Sequence, residues 1–238
     1  MVKSLAKRTA RKTKTDYFGK FIGIIVFLAI FLVLNVIFTV PALYFYYSGY
    51  MSYNSLMFVS DATLSMSFSL SVLCYFVFYK KQSLGSIAAS VGLKGKGVFG
   101  INRILIGVLL FIAIFVLELI VGIISVVTNT PINSNVNVLF ASAPVWFYVF
   151  TSLIAPINEE ILFRGFLVPR IGIILSALIF AAGHVTYNSS FGIEVIAALI
   201  FGVLAGYVYK RTNSLYPSII AHILVNTLTI LLTFMVLA

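Results

Sequence analysis

Charge is scarce in this sequence. Of 238 residues, 9% are Asp, Glu, Lys or Arg and 61% are hydrophobic, and the mean hydropathy is +1.12. A soluble domain carries about a quarter charged residues, so the scarcity excludes that class and points to a polytopic membrane protein. Cysteine is nearly absent, with Cys74 standing alone. A single cysteine excludes an internal disulfide, and its place in an apolar run marks a small buried hydrophobe rather than a reactive thiol. No tandem repeat or low-complexity segment is visible. The acids are only six, Asp16, Asp61, Glu118, Glu159, Glu160 and Glu194, and the histidines two, His184 and His222. In so apolar a chain each of these groups needs a reason.

What the chain does have is long apolar runs and basic residues arranged on one side of them. Seven apolar segments lie at roughly 21–40, 56–79, 104–127, 145–168, 171–187, 193–209 and 215–236. A spanning helix needs ~20 apolar residues, so the expected fold is all-α, a polytopic transmembrane helical bundle of about seven spans. The first span is expected to end near Pro41. The run after the basic N-terminus is too long for a signal-peptide core of ~7–15 residues, and no small-residue cleavage site closes it. It reads as a retained first span.

Orientation follows from lysine and arginine. With the N-terminus cytoplasmic, the tail holds seven basic residues from Lys3 to Lys20, and the connector 80–103 holds Lys80, Lys81, Lys94, Lys96 and Arg103. Arg164, Arg170, Lys210 and Arg211 fall on the same side, which accounts for all 16. The net charge of +10 is therefore topology rather than nucleic-acid binding, and anionic lipid is the expected partner of the tail. Three parts follow: a basic cytoplasmic tail over 1–20, N-terminal spans over 21–144 with the cytoplasmic connector 80–103, and a four-span core over 145–238. The connector reads as an amphipathic surface segment. The gap 128–144 carries no charge.

An ionisable group at mid-membrane costs ~2.5–3.5 kcal/mol or more, so each one is a functional candidate. Glu194 and Asp61 read as interfacial groups. Glu118, in "IFVLELIVG", is deep, and either a distant polar partner or substrate would explain it. The stretch "NEEILFRGF" differs in what it gathers. Glu160 and Arg164 are four apart and share a helix face, whereas Glu159 points about 100° away. The expectation is one internal ion pair plus one free carboxylate, against the plain alternative of a structural salt bridge.

Both histidines lie in apolar runs. His184 follows Phe180 by four residues in "FAAGH", and His222 precedes Asn226 by four in "HILVN". Counting at 1.5 Å per residue, from the turn near Arg170 for Glu159 and His184 and from Leu215 for Asn226, places all three ~16–20 Å deep, with His222 one turn nearer the cytoplasm. Four polar groups on one layer is the geometry of a site. Pro156, just before the glutamates, is expected to kink the fourth span and free backbone carbonyls there. Pro217 sits in a first turn, where proline is tolerated. Gly202 and Gly206, four apart, allow close helix approach.

"EEILFR", "FAAGH" and "HILVN" match E-E-x-x-x-R, F-x-x-x-H and H-x-x-x-N in that order. Over about residues 145–236 the chain thus resembles the CAAX-prenyl-protease-like and bacteriocin-processing (CPBP, or Abi) intramembrane proteases. The resemblance implies a helical bundle that hydrolyses peptide bonds within the membrane. It implies Glu159 as the catalytic carboxylate, His184 as its partner in activating water, and His222 and Asn226 at the oxyanion, with Glu160, Arg164 and Phe180 in support. No cofactor is favoured. A divalent metal such as zinc stays open, because Glu159, His184 and His222 are also a catalytic zinc set, although no H-E-x-x-H is present. A non-catalytic partner-binding or bacteriocin-immunity protein of the same fold and a small proton-coupled transporter are the rival readings. The complete motif set argues against the first, and the lack of repeats against the second. A membrane-associated peptide or protein is the expected substrate. The short chain without further domains suggests a bacterial plasma membrane.

Overall fold

The computed structural model describes residues 2–95, 97–128, 143–185 and 193–237, with side chains from Phe18 onward. Among these residues the fold is an all-helical membrane bundle. Five helical stretches are long and apolar enough to cross a membrane: Phe18–Tyr47, Tyr53–Tyr79, Ile101–Ile124, Val145–Gly183 and Val195–Thr212. Tyr216–Leu232 is a shorter apolar helix. The 39 residues Val145–Gly183 form two helices, because Gly172 stands at φ 86°, ψ 174°, a conformation that glycine adopts without a Cβ clash. The chain folds back there. Ser176 Oγ donates to the Phe163 carbonyl at 2.7 Å, and the Phe163 and Phe180 rings meet at 5.0 Å. Counted this way, the described residues supply the seven expected helices.

Two boundaries differ from the sequence expectation. The first helix runs from Val2 through Pro41 to Tyr47. A proline removes one N–H, and membrane helices tolerate it where neighbours re-satisfy the backbone. The fifth helix, expected over 171–187, ends at Gly183, so from residue 173 it rises only ~16 Å, about half the hydrocarbon core. Residues 186–192, the side chain of Glu194 and most of the uncharged gap 128–144 lie outside the described residues.

Packing of the second helix on the fourth sets the stage for the site. Phe58 meets Phe147 at 4.8 Å, Asn158 Nδ2 donates to Ser65 Oγ at 3.3 Å, Phe68 meets Phe163 at 5.7 Å and Tyr75 meets Phe166 at 4.9 Å. Contacts that advance together along both chains define two helices running in the same direction along one face. The glycines act as expected. A Cβ on Gly202 would lie 2.9 Å from the Ala177 Cβ, and one on Gly206 would lie 3.0 Å from Ile173 Cγ2, so the fifth and sixth helices pack nearly backbone to backbone. The connector 80–103 is amphipathic in its short helix Leu84–Ser90, where Ile87 is buried. Beyond that it goes deeper than a surface segment. Val91 is buried, Leu215 N–H donates to the Gly92 carbonyl at 3.0 Å, and Ser214 Oγ donates to the Val98 carbonyl at 2.5 Å.

Candidate active site

The fourth helix alternates between α and π turns: Val145–Val149 is α, Phe150–Ile154 π, Ala155–Glu160 α and Ile161–Leu167 π. The first π turn has a cause in the sequence. Ala155 N–H donates to the Phe150 carbonyl, five residues back. In that register the next donor, to the Thr151 carbonyl, would be residue 156, a proline without an N–H. The freed carbonyl is taken by Asn226, whose Nδ2 donates to it at 2.9 Å. Pro156 therefore frees a carbonyl as the sequence suggests, and Asn226 of the seventh helix claims it.

One turn further on, Glu160 and Arg164 form the expected pair. Arg164 Nη1 donates to Glu160 Oε1 at 2.6 Å, with 1% and 0% of the two side chains exposed. The pair is larger than the sequence shows. His222 Nδ1 lies 3.1 Å from the same Oε1, and a carboxylate that already accepts from arginine can only accept again, so Nδ1–H donates. The Arg164 guanidinium is stacked over the rings of Phe180 at 4.4 Å and Phe201 at 4.9 Å, a contact that gains strength where water is excluded.

Glu159 is the free carboxylate. Its side chain retains 19% exposure, and its Oε2 stands 3.7 Å from His222 Nε2. That buried oxygen has no hydrogen-bond partner among the described residues. Glu160 Oε2 and Arg164 Nη2 are unpartnered in the same sense, so what sets Glu159 apart is its 19% exposure beside an imidazole nitrogen. Asn158, beside it, is buried and holds the motif to the second helix through Ser65.

The structure thus brings Glu159, Glu160, Arg164 and His222 together and places Asn226 one turn beyond His222 on the seventh helix, against the Thr151 carbonyl. His184 forms the C-terminal end of the fifth helix. Its Nδ1–H donates to the Phe180 carbonyl at 2.9 Å, since a carbonyl only accepts. Phe180 touches both imidazoles, at 4.6 Å from His184 and 5.8 Å from His222. The spacing puts His184 across from Glu159, but the imidazole found against Glu159 is that of His222. Asp61 corrects its interfacial reading. It sits between Phe58 and Ser65 on the face of the second helix that packs on the fourth, and it lies within electrostatic range of Glu159. The heptad-like spacing of Phe58, Asp61, Ser65 and Phe68 is the signal that places it there. Glu118 is half-buried on the helix Ile101–Thr128. Among the described residues no group of three His, Cys, Asp or Glu side chains is arranged to hold a metal ion.

Comparison with known proteins bears on the same segment. The family model described as type II CAAX prenyl endopeptidase Rce1-like matches residues 141–228, which contain every residue of the constellation except Asp61. The uncharacterised protein YpbD of Bacillus subtilis strain 168 is 32% identical over 88 residues, 37% of this chain and 46% of that protein, so the match spans under half of that relative's length. No solved structure matches the chain. Over residues 141–228 this multi-pass membrane protein is similar to the type II CAAX prenyl endopeptidase Rce1-like family.

Proposed function

We propose that the chain is an intramembrane endopeptidase that hydrolyses a peptide bond of a membrane-associated peptide or protein, by water activated at Glu159. One observation carries the reading: the buried, unpartnered Oε2 of Glu159, 3.7 Å from an imidazole nitrogen whose other nitrogen is fixed by a carboxylate. Two atoms so spaced lie within hydrogen-bond reach of a single water. Glu159 removes a proton from that water as its oxygen attacks the carbonyl carbon. The proton then passes to the amide nitrogen as the C–N bond breaks. Donors are needed for the tetrahedral oxyanion. With Nδ1–H given to Glu160, His222 donates from Nε2 only when the ring carries both protons, and Asn226 retains a second amide N–H besides the one on Thr151. His184, held by the Phe180 carbonyl at the end of its half-helix, presents Nε2 as the second water-orienting group. Glu160 and Arg164 are positioning residues that set the His222 ring, as the third member of a triad orients its base.

Hydrolysis consumes water, so the charged face of the fourth helix lines a water-containing space open to the cytoplasm, where charge at membrane depth is tolerated. The test uses the purified full chain in lipid vesicles, a library of membrane-associated peptides that includes prenylated C-a-a-X peptides, and mass spectrometry of the products, with and without chelator. Cleavage by the wild type and none by Glu159→Gln is expected. Equal product from both proteins overturns the assignment of Glu159.

A further inference from the structure

Glu118 is an intramembrane carboxyl that the proposed chemistry leaves unused. At 1.5 Å per residue on the third helix, Ile101–Thr128, it stands ~26 Å from the first residue and ~15 Å from the last. A hydrocarbon core ~30 Å thick takes in that position. No described charged group acts on its carboxyl, and the sequence extends this to the whole chain. All 16 lysines and arginines lie in the tail, in the connector 80–103, at Arg164 and Arg170, and at Lys210 and Arg211. Arg103 belongs to the opposite end of the third helix from Glu118, where its Nε donates to the Gly97 carbonyl at 3.0 Å. Arg164 is committed to Glu160 at 2.6 Å. Of the histidines, His222 serves Glu160 and His184 the Phe180 carbonyl. Segments 129–142 and 186–192, outside the described residues, contain no basic residue. The chain therefore holds a carboxyl in hydrocarbon without a cation of its own at that depth.

The surface around Glu118 has the form that receives a helix. Ile104, Val108, Phe111, Phe115, Glu118 and Gly122 follow one another at alternating intervals of four and three residues, and each is half-buried. Such spacing keeps a row on one helix face, the pattern by which a second helix docks. One turn beyond Glu118, a Cβ added to Gly122 would meet nothing within 4 Å among the described residues, and a small residue there lets another backbone approach closely. A basic side chain alone in a spanning helix is as costly as the carboxyl, and both are tolerated once they are paired. A second copy of this chain would bring a second carboxyl instead of a cation. We propose that this row docks a spanning helix of another protein, one that carries a lysine or arginine at the depth of Glu118 and pairs it with the Glu118 carboxylate. Glu118 is not among the charges that act on Glu159, so the surface is separate from the candidate active site and stands independently of the peptidase reading.

The test uses energy transfer in phosphatidylcholine vesicles. The full chain carries a donor dye at Ser48→Cys in a Cys74→Ser background. The acceptors are synthetic leucine-alanine helices of about 20 residues, with lysine, leucine or glutamate near the centre, so that insertion in either direction presents that side chain. Saturable transfer to the lysine peptide is expected, with the leucine and glutamate peptides about 30-fold weaker or more, the low end for a buried charge pair that loses one member. Glu118→Gln, nearly isosteric at a half-buried position, should unfold like the wild type and bind the lysine peptide about 30-fold more weakly. Gly122→Ile fills the open notch without touching the charge and should weaken the lysine peptide as well. Equal affinity for the leucine peptide, or wild-type binding by Glu118→Gln, overturns the pairing. Wild-type binding by Gly122→Ile overturns the row as the contact face. Transfer between donor- and acceptor-labelled copies of the chain that disappears in Glu118→Gln assigns the face to self-association and overturns the basic helix as its occupant.

Discussion

The side-chain amide of Asn226 closes a gap that Pro156 opens: its Nδ2 donates at 2.9 Å to the carbonyl of Thr151, the acceptor that a residue with an N–H at position 156 would serve. Asn226 is therefore structural as well as a candidate oxyanion donor, and the two duties are separable. Asn226→Ala is expected to destabilise the protein by ~1–3 kcal/mol, the cost of a buried carbonyl left unpaired. In a Pro156→Ala background the same change should cost less, because that substitution restores a backbone N–H at this position. A double-mutant cycle of denaturant unfolding in micelles measures the difference. Identical losses in the two backgrounds contradict the account.

Glu160 holds two partners on one oxygen, so removing either exposes what it contributes. Arg164→Ala leaves a fully buried carboxylate without its cation, a loss of ~3–5 kcal/mol in comparable buried pairs. Glu159→Gln, at a group with 19% exposure and no described hydrogen bond at Oε2, should unfold like the wild type while cleavage disappears. Unfolding midpoints and product formation are read side by side. Two variants of equal stability and equal activity are incompatible with this division of labour.

Much of this arrangement is legible in the sequence, and what is not has identifiable causes. The Glu160–Arg164 pair is local and follows from helical spacing. That His222, 62 residues away, shares the same oxygen is tertiary information with no local signal. The depth count departs from the structure for a physical reason. It takes 1.5 Å per residue throughout, but Ile161–Leu167 is π-helical, and a π turn takes in an extra residue. Glu159 therefore lies nearer the turn at Arg170 than counted, opposite His222 instead of Asn226. The fifth helix ends at Gly183, four residues before its expected end. Asp61 is hidden by proximity to a helix end, although its spacing from Phe58 and Ser65 places it on the packed face.

Sidedness remains an expectation from charge alone, and it is directly measurable. In a Cys74→Ser background, Ser48→Cys and Ser90→Cys occupy exposed positions at opposite ends of the second helix. Ser48→Cys should react with an impermeant maleimide added to intact cells, and Ser90→Cys only after permeabilisation. Labelling of Ser90→Cys from outside would reverse the assignment.

The last expectation concerns a residue that touches none of the site's polar groups. A Cβ at Gly202 would meet the Ala177 Cβ at 2.9 Å and its Cα at 3.0 Å, distances that force the fifth and sixth helices apart. Overpacking of this kind costs ~1–3 kcal/mol. The consequence reaches further, because the neighbouring Phe201 meets the His222 ring at 4.9 Å and lies beneath Arg164 at 4.9 Å, and because the fifth helix carries Phe180 and His184. Gly202→Ala should lower both stability and turnover, with turnover falling by more than the folded fraction explains. Gly122→Ala, where an added Cβ meets nothing within 4 Å, supplies the control and should hold or gain stability, since alanine exceeds glycine in helix propensity by ~1 kcal/mol. Unfolding midpoints and initial rates, normalised to folded protein, decide it. If Gly202→Ala loses stability but keeps full activity per folded molecule, the site does not depend on the close packing of these two helices, and the positions of Phe180 and His184 are set by other contacts.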